Sequence, residues 1–390
     1  MTVIAETRAC GVSLKPLSRF GSQRWNTLAR SQSLFSQWEW LEAYQQQSGR
    51  PQSAIILDEA IGPEAAILCA GSTAGDRYDL SRLFGPDLGV ADGEPQLILG
   101  GTSGYRGGVL LPPTPSRRLA AALAIGAAVE EVAREQAVAG WGMLYLDRAT
   151  AAELAVHLDH GVARLLQAPG AVVDVEWESF DEYVATRPKS RRTNIVRDLR
   201  RTTEAGVAVT VETPRPSLIA EAAPLLSALQ RRHGHPSTPD GAGRYLTSFS
   251  SGPLERHAVF FVARLRGQVI AFAFAIAFDG TLYVRSAGFD DALARQTAAY
   301  FTTCYYEPIR YAVANGLHTI DLGPSAYEAK LLRGARLAPR WALVQARPGR
   351  SSTFVDREWN ALQRAYWLDL EQHYGSGRRS PDWSDIAPSC

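Results

Sequence analysis

Tyr327, Lys330 and Arg333 recur at every third position of the segment Ser325-Ala326-Tyr327-Glu328-Ala329-Lys330-Leu331-Leu332-Arg333-Gly334. A phenol, an ammonium and a guanidinium spaced in this way share one side of a helical turn. There the two cations can bind a carboxylate or phosphate, or stabilise negative charge growing on a carbonyl oxygen, while the hydroxyl orients a second group. Glu328 lies in the same segment, and Gly334 lets the chain turn closely past it. A strand-to-helix turn with one buried ion pair would use the same residues. Upstream, Tyr283 and Arg285 alternate from one side of a strand and could line the same cleft, although Tyr283 would serve equally as core. His233 and His235 have no nearby third ligand, so no metal site is expected; either could be a general base or a plain loop histidine. There is no Gly-x-Ser-x-Gly and hence no nucleophile signature.

These side chains need elements to hold them. Val259 to Leu265, Val269 to Phe278 and Thr281 to Ala287 are β-branched and aromatic runs separated by Arg266-Gly267-Gln268 and Asp279-Gly280, which predicts three antiparallel strands. From Leu293 to Asn315, Phe301, Cys304, Tyr305, Ile309, Ala312 and Val313 recur at threes and fours, predicting one helix kinked at Pro308 and capped by Gly316. His318 to Leu322 then reads as a short buried strand. The first half repeats this order: a hairpin of Ser53 to Leu57 and Ala65 to Ala70 around Ile61-Gly62-Pro63, a strand at Gln96 to Leu99, an Ala-rich helix from Arg117 to Ala139, and a strand at Met143 to Asp147.

Meander, helix, strand is the order of the GNAT acyltransferase core. The segment Lys189-Ser190-Arg191-Arg192-Thr193-Asn194-Ile195-Val196-Arg197-Asp198-Leu199-Arg200-Arg201 precedes it and Asp321-Leu322-Gly323-Pro324 with Lys330 and Arg333-Gly334 follows, and Ser33-Leu34-Phe35-Ser36-Gln37-Trp38-Glu39-Trp40-Leu41 stands near the start. Together these resemble the Fem-like branch of GNAT proteins, which includes peptidoglycan-bridge aminoacyl transferases. The resemblance implies an α/β fold of tandem GNAT-like halves, each a mixed, mostly antiparallel sheet flanked by helices. It also implies an aminoacyl-tRNA donor, a substrate-lining role for the loop carrying Lys330, and a basic surface for the acceptor stem. The usual residues before that lysine are replaced by Ala326-Tyr327-Glu328-Ala329, which leaves the substrate class open.

The donor can also be approached from the residues. Where acetyl-CoA-dependent GNAT proteins carry a glycine-rich turn that holds a pyrophosphate on a helix N-terminus, this chain has Phe289-Asp290-Asp291-Ala292, without glycine and with two acids. Those acids suit the helix dipole and repel a pyrophosphate, which disfavours acyl-CoA in the second half and leaves it as the alternative donor. On a helical wheel Arg197, Arg200 and Arg201 oppose Ile195 and Leu199, and Lys189, Arg191 and Arg192 crowd a helix start where cations oppose the dipole. A tRNA backbone would explain this clustering; so would a solvated basic face paired with Asp198 and Glu204. Phe35, Trp38 and Trp40 could wall a pocket or pack inside the first helices. Tyr105, in the glycine-rich Gly100 to Gly108, could sit near the substrate or in an ordinary loop, since the setting is not that of a phosphate loop.

With 390 residues, 46% of them apolar, the chain can bury ordinary cores. A net charge of +1 means that attraction for a polyanion must come from local clustering. Cys10, Cys69, Cys304 and Cys390 lack paired spacing, which argues against a zinc site or disulfide framework and fits a reducing cytoplasm. Neither a signal peptide nor a membrane span is read in the sequence. The expected organisation is an N-terminal half over 1–165, a C-terminal half over 166–350 with its basic helix at 189–205, and a helix and polar tail over 351–390. The expected activity is transfer of an aminoacyl group to a small amine, hydroxylamine or peptide-like acceptor in natural-product or cell-envelope biosynthesis, with no tightly bound cofactor. The alternatives are an acyl-CoA or carrier-protein dependent N-acyltransferase and a non-catalytic binding protein for cell-envelope precursors.

Overall fold

Two hairpin turns carry positive φ at both central residues, Arg266 and Gly267 (52° and 84°) and Asp279 and Gly280 (45° and 69°). This is the two-residue turn whose twist matches that of the flanking strands, so both hairpins form where the sequence places them. The computed structural model describes residues 7–9, 12–30, 32–59, 62–72, 78–85, 94–158, 161–345, 352–375 and 383. Cys10, Cys390, the turn residue Ile61 and the tail segment Arg378-Arg379-Ser380-Pro381 lie outside them.

The strands are β1 (Thr7–Ala9), β2 (Val12–Pro16), β3 (Ser53–Glu59), β4 (Gly62–Ser72), β5 (Gln96–Leu99), β6 (Val109–Leu110), β7 (Gly140–Leu146), β8 (Val162–Asp174), β9 (Val207–Glu212), β10 (Ala258–Leu265), β11 (Gln268–Phe278), β12 (Thr281–Phe289), β13 (Thr319–Gly323) and β14 (Arg336–Gln345). The chain forms two compact units. The first comprises Met1–Ala168, Pro339–Trp367 and Pro381–Cys390; the second comprises Pro169–Ala338 and Leu368–Ser380. β8 and β14 each pass from one unit to the other.

In the first unit the strand order is β1-β2-β3-β4-β5-β7-β14, with β6 paired to β4. Pairing is antiparallel up to β5, parallel between β5 and β7, and antiparallel again at β14. The second unit repeats this sequence of pairings: β9, β10, β11 and β12 are antiparallel, β12 and β13 are parallel, and β13 and β8 are antiparallel. Each unit is therefore a GNAT-like half, and the chain is a tandem of them.

β11 reads as an unbroken apolar run because both of its faces are covered. Phe260 and Phe274 pack with ring centroids 4.9 Å apart, and Gly288 lets the helix Pro216–Arg232 approach so closely that a Cβ would lie 2.6 Å from the Leu226 nitrogen. On β10, Phe261 meets Tyr311 of the helix Glu307–Ala314.

The helix expected over Leu293 to Asn315 is corrected. The segment Asp291–Thr297 ends at Ala298, a left-handed residue (φ 58°); a short turn follows, Thr302–Tyr306 is a π-turn, and only Glu307–Ala314 resumes the α-helix. Pro308, which has no amide donor, lies inside this continuous helical run, directly after the π-turn whose Glu307 N donates to Thr302 O. Gly316 does end it, with Leu317 N donating to Ala312 O at 2.9 Å.

Candidate functional site

β12 and β13 pair only from Thr281↔Thr319 to Tyr283↔Asp321 and then part. At the parting, the β11–β12 ladder shifts register between Phe274↔Ser286 and Ala275↔Val284, so Arg285 is the extra residue of a β-bulge. Tyr283, 4% exposed, belongs to the core; Arg285 is half-buried at the bulge. β13 runs into Gly323 and Pro324, and then Ser325 and Ala326 adopt left-handed φ of 69° and 46°. For residues with a Cβ this costs on the order of 1 kcal/mol each, so something must hold the loop in place.

Lys330 holds it. The side chain is 7% exposed and its Nζ donates to the carbonyls of Leu322, Gly323 and Pro324 at 2.7, 3.0 and 2.9 Å. Three acceptors use all three protons of an ammonium. Burial pulls this ammonium down to about 7, opposed by the negative charge of Asp321. Tyr327 also serves the backbone, donating its hydroxyl to Pro169 O at 2.8 Å. The direct substrate contact expected of Lys330 and Tyr327 is therefore corrected: their polar atoms are engaged with carbonyls, and what they set is the path of the loop.

Arg333 is a buried cation that borders a small cavity. Its guanidinium lies 3.8 Å from the Phe301 ring centroid and 5.3 Å from that of Tyr305, and Nη1 donates to Ala329 O at 3.1 Å. Its Nη2 stands 3.8 Å from the Asp198 carboxylate, which also accepts from the Tyr306 hydroxyl at 3.0 Å. The Nε is buried and makes no hydrogen bond among the described residues. Arg333 lines a small cavity whose other walls are Val173, Tyr305, Pro308, Ile309, Ile320 and Leu322. The cavity is about the size of one water molecule, and its wall is apolar apart from the guanidinium. Burial pushes the Tyr305 phenol well above its usual value, so this wall is neutral.

The basic segment is the helix Lys189–Glu204. Its inner stripe is Ile195, Asp198 and Thr202; Thr202 Oγ1 donates to Thr297 O at 3.0 Å, and Asp198 meets Arg333. Lys189, Arg192, Arg197, Arg200 and Arg201 are exposed and Arg191 is half-buried. Part of the set has protein partners: Arg201 donates to the Arg295 and Gln296 carbonyls, Arg192 to those of Ala185 and Arg187, and Arg200 pairs with Glu204 at 3.5 Å. At the end of β12 the Asp290 carboxylate caps Leu293 N at 2.9 Å, and Asp291 is paired with Arg232 and Arg295. The helix start that would hold a pyrophosphate is filled by the chain's own acids.

The remaining expected contacts lie elsewhere. Glu328 is exposed in the turn before Lys330, and His233 is exposed as the C-cap of Pro216–Arg232. Phe35 is corrected to a core residue of the first unit, 3% exposed, edge-on to Trp40 at 5.3 Å. Trp38 is half-buried there, its amide donating to Asn26, and Tyr105 packs edge-on to Tyr145 at 5.7 Å. The partner of Arg333 went unassigned in the sequence although a signal existed: Asp198 is the one acid in Lys189 to Arg201 and falls three residues from Ile195 and four from Thr202, on the buried stripe. Arg187 is also buried, 4% exposed, over the rings of Trp177 and Tyr183, and a Cβ on Gly334 would run into it. Among the described residues no three metal-ligating side chains gather, and no helix is long and apolar enough to cross a membrane.

Comparison with known proteins agrees with this architecture. The solved structure of FemX superposes with a TM-score of 0.59 at 10% identity, covering 84% of this chain and 96% of that one. The C-terminal domain of a putative lysylphosphatidylglycerol synthetase from Agrobacterium fabrum gives 0.53 at 12% identity, covering 87% and 95%. At such identities the likeness concerns the fold. No curated protein matches the sequence. A family model, FemAB-like, described as peptidoglycan biosynthesis/recognition, matches residues 103–366, more than half of the chain and inclusive of the basic helix, the wedge between β12 and β13, and the Lys330 loop. The chain belongs to the FemAB-like family.

Proposed function

We propose that the protein is an aminoacyl transferase that takes its donor from aminoacyl-tRNA and forms an amide or ester on a small amine, hydroxylamine or peptide-like acceptor, in cell-envelope or natural-product biosynthesis. The observation that carries the choice of donor is the acidic helix start after β12: Asp290 accepts from the Leu293 amide, one of those a pyrophosphate would need, and Asp291 holds Arg232 and Arg295 in ion pairs there. Family membership supports the reaction class. The helix Lys189–Glu204 supports a polyanionic donor, since it turns Asp198 toward Arg333 and Arg197 and Arg200 toward solvent. Neither half of the reaction needs a covalent enzyme intermediate. The amine must be unprotonated when it attacks, and the ester carbonyl must be polarised while its oxygen gains charge. Arg333 supplies the positive charge at the cavity; Lys330 and Tyr327 hold the loop that shapes it.

The test is to incubate the protein with acceptor extracts and either charged tRNA or acyl-CoA, with and without ribonuclease, reading product by mass. Turnover with charged tRNA that ribonuclease abolishes is expected. Turnover with acyl-CoA that survives ribonuclease assigns the other donor, and precursor binding without turnover under either condition assigns a binding protein.

A further inference from the structure

The helix Pro115–Glu135 contains eleven consecutive residues, Leu119-Ala120-Ala121-Ala122-Leu123-Ala124-Ile125-Gly126-Ala127-Ala128-Val129, without one polar side chain. A helix apolar all round is normally covered on every side. Here only the inner face is: Ala121, Ala122, Ile125, Gly126, Ala128 and Val129 are buried, whereas Leu119 and Leu123 are 48% and 47% exposed, and Ala120 and Ala127 are exposed between them. At 100° per residue these four form one outward stripe.

The charges bordering the stripe say what covers it. On one flank Arg117 stands at the N-terminal end and Glu131 and Glu135 at the C-terminal end, where the exposed Arg134 closes the stripe itself. An anionic lipid surface would meet acids on the very face it needed to approach, and a single basic or acidic partner would match only one end. A second copy of the helix, reversed, matches both. When two identical helices cross antiparallel, like flanks face each other, and a two-fold axis between Leu123 and Ala124 brings Ala120 against Ala127 and Arg117 against the turn carrying Glu131, with opposed dipoles. The small alanines let the helices approach while Leu123 of each copy fills the centre.

We propose that this face is the seat of a two-fold homodimer, with the helix Pro115–Glu135 of one copy crossing that of the second antiparallel about Leu123. Sedimentation velocity on the full chain from about 1 to about 100 μM spans the range in which a modest interface saturates. A concentration-dependent dimer is expected, with its dissociation constant raised at least about tenfold by Leu123→Glu and by Ala127→Glu. Both positions are exposed, so circular dichroism should show unchanged folding, and the pair checks that neither effect is a folding defect. Arg117→Glu should weaken the dimer, and adding Glu131→Arg in the same chain should restore it, a coupling that isolates the pair. A wild-type chain that stays monomeric at about 100 μM overturns the proposal. So does a dimer indifferent to Leu123→Glu and Ala127→Glu. Flotation of a monomeric wild type with anionic vesicles, lost in Leu123→Glu, gives the face to lipid instead and equally overturns it.

Discussion

In the first unit the ladder beside β4 pairs Cys69 with Leu99, breaks, and resumes with Ile67 opposite Val109; the residues between are the glycine-rich Gly100 to Gly108. In the second unit the ladder beside β11 breaks at the corresponding step for a single residue, Arg285. Both breaks stand beside a parallel strand pair that has begun to part. The longer insertion fills its own gap: Gly107 N donates to Tyr145 O at 2.9 Å, and a Cβ on Gly107 would sit 2.6 Å from Leu144 O. The one-residue bulge inserts no such segment, and β12 and β13 part after Tyr283↔Asp321. The number of residues inserted at the break thus decides whether backbone fills the space beside the parting strands.

If the second unit's wedge is the working one, its charged residues should cost both stability and activity. The largest effect is expected for Arg333→Met, which leaves Asp198 buried with only the Tyr306 hydroxyl and the distant Arg197 guanidinium, 4.0 Å away. A loss of about 3–5 kcal/mol in denaturant unfolding is expected, together with loss of turnover. Retained activity in this variant would move the reacting carbonyl away from the cavity.

Lys330→Met comes next, at about 3 kcal/mol, because three carbonyls lose their donor and the left-handed loop loses its anchor. Here pH sharpens the comparison. With its pKa lowered from the usual lysine value to about 7, the folded chain binds fewer protons than the unfolded chain above pH 7. The cost of burying the ammonium is therefore present in full below pH 7 and relieved as pH rises toward the unfolded value. Wild type should gain stability relative to Lys330→Met between about pH 7 and pH 10. A difference that stays flat across that range means that the three carbonyls hold the lysine charged.

Gly107→Ala should destabilise by about 2 kcal/mol in thermal melts, since the added methyl group meets backbone rather than a movable side chain. The folded fraction should keep its wild-type kcat if the filled wedge is structural; a fall in kcat would make the first unit part of the reaction. The smallest change in stability, within about 0.5 kcal/mol, is expected for Arg197→Glu with Arg200→Glu, both of them exposed. Gel-shift titrations at several salt concentrations should nonetheless show weaker tRNA binding and a shallower salt slope. Unchanged binding removes this face from the donor site.

The hairpin strands were legible because hairpin turns and apolar runs are local signals: Asp279-Gly280 names its own turn, and the apolar β11 announces a strand covered on both faces, whereas β8, β9 and β14, which pair with strands far away in sequence, were not read. The break at Ala298 and the π-turn at Thr302–Tyr306 were not. The helical spacing of Phe301, Tyr305 and Ile309 is nearly the same with or without an added residue per turn, and alanine gives no warning of a left-handed φ. At the site, residue types were legible and directions were not. Lys330 and Arg333 differ by three positions on one turn, yet the loop's carbonyls converge on the first, and the cavity and Asp198 lie at the second. That division depends on the path of Gly323 to Ala326, which no periodicity encodes.

The passage of β8 and β14 between the units bears on the order in which the chain matures on a ribosome. Strands β8 to β13 are all made once residue 323 has emerged, whereas β7 lacks its neighbour β14 until that strand is complete at Gln345. The earlier-made half must wait with the β7 edge, including Met143 and Leu146, uncovered, and an open edge of that kind is what chaperones bind and aggregates grow from. Protease resistance of nascent chains stalled at successive lengths should accordingly appear in the second unit first; a first unit already resistant before residue 339 is made would show that its sheet closes without β14.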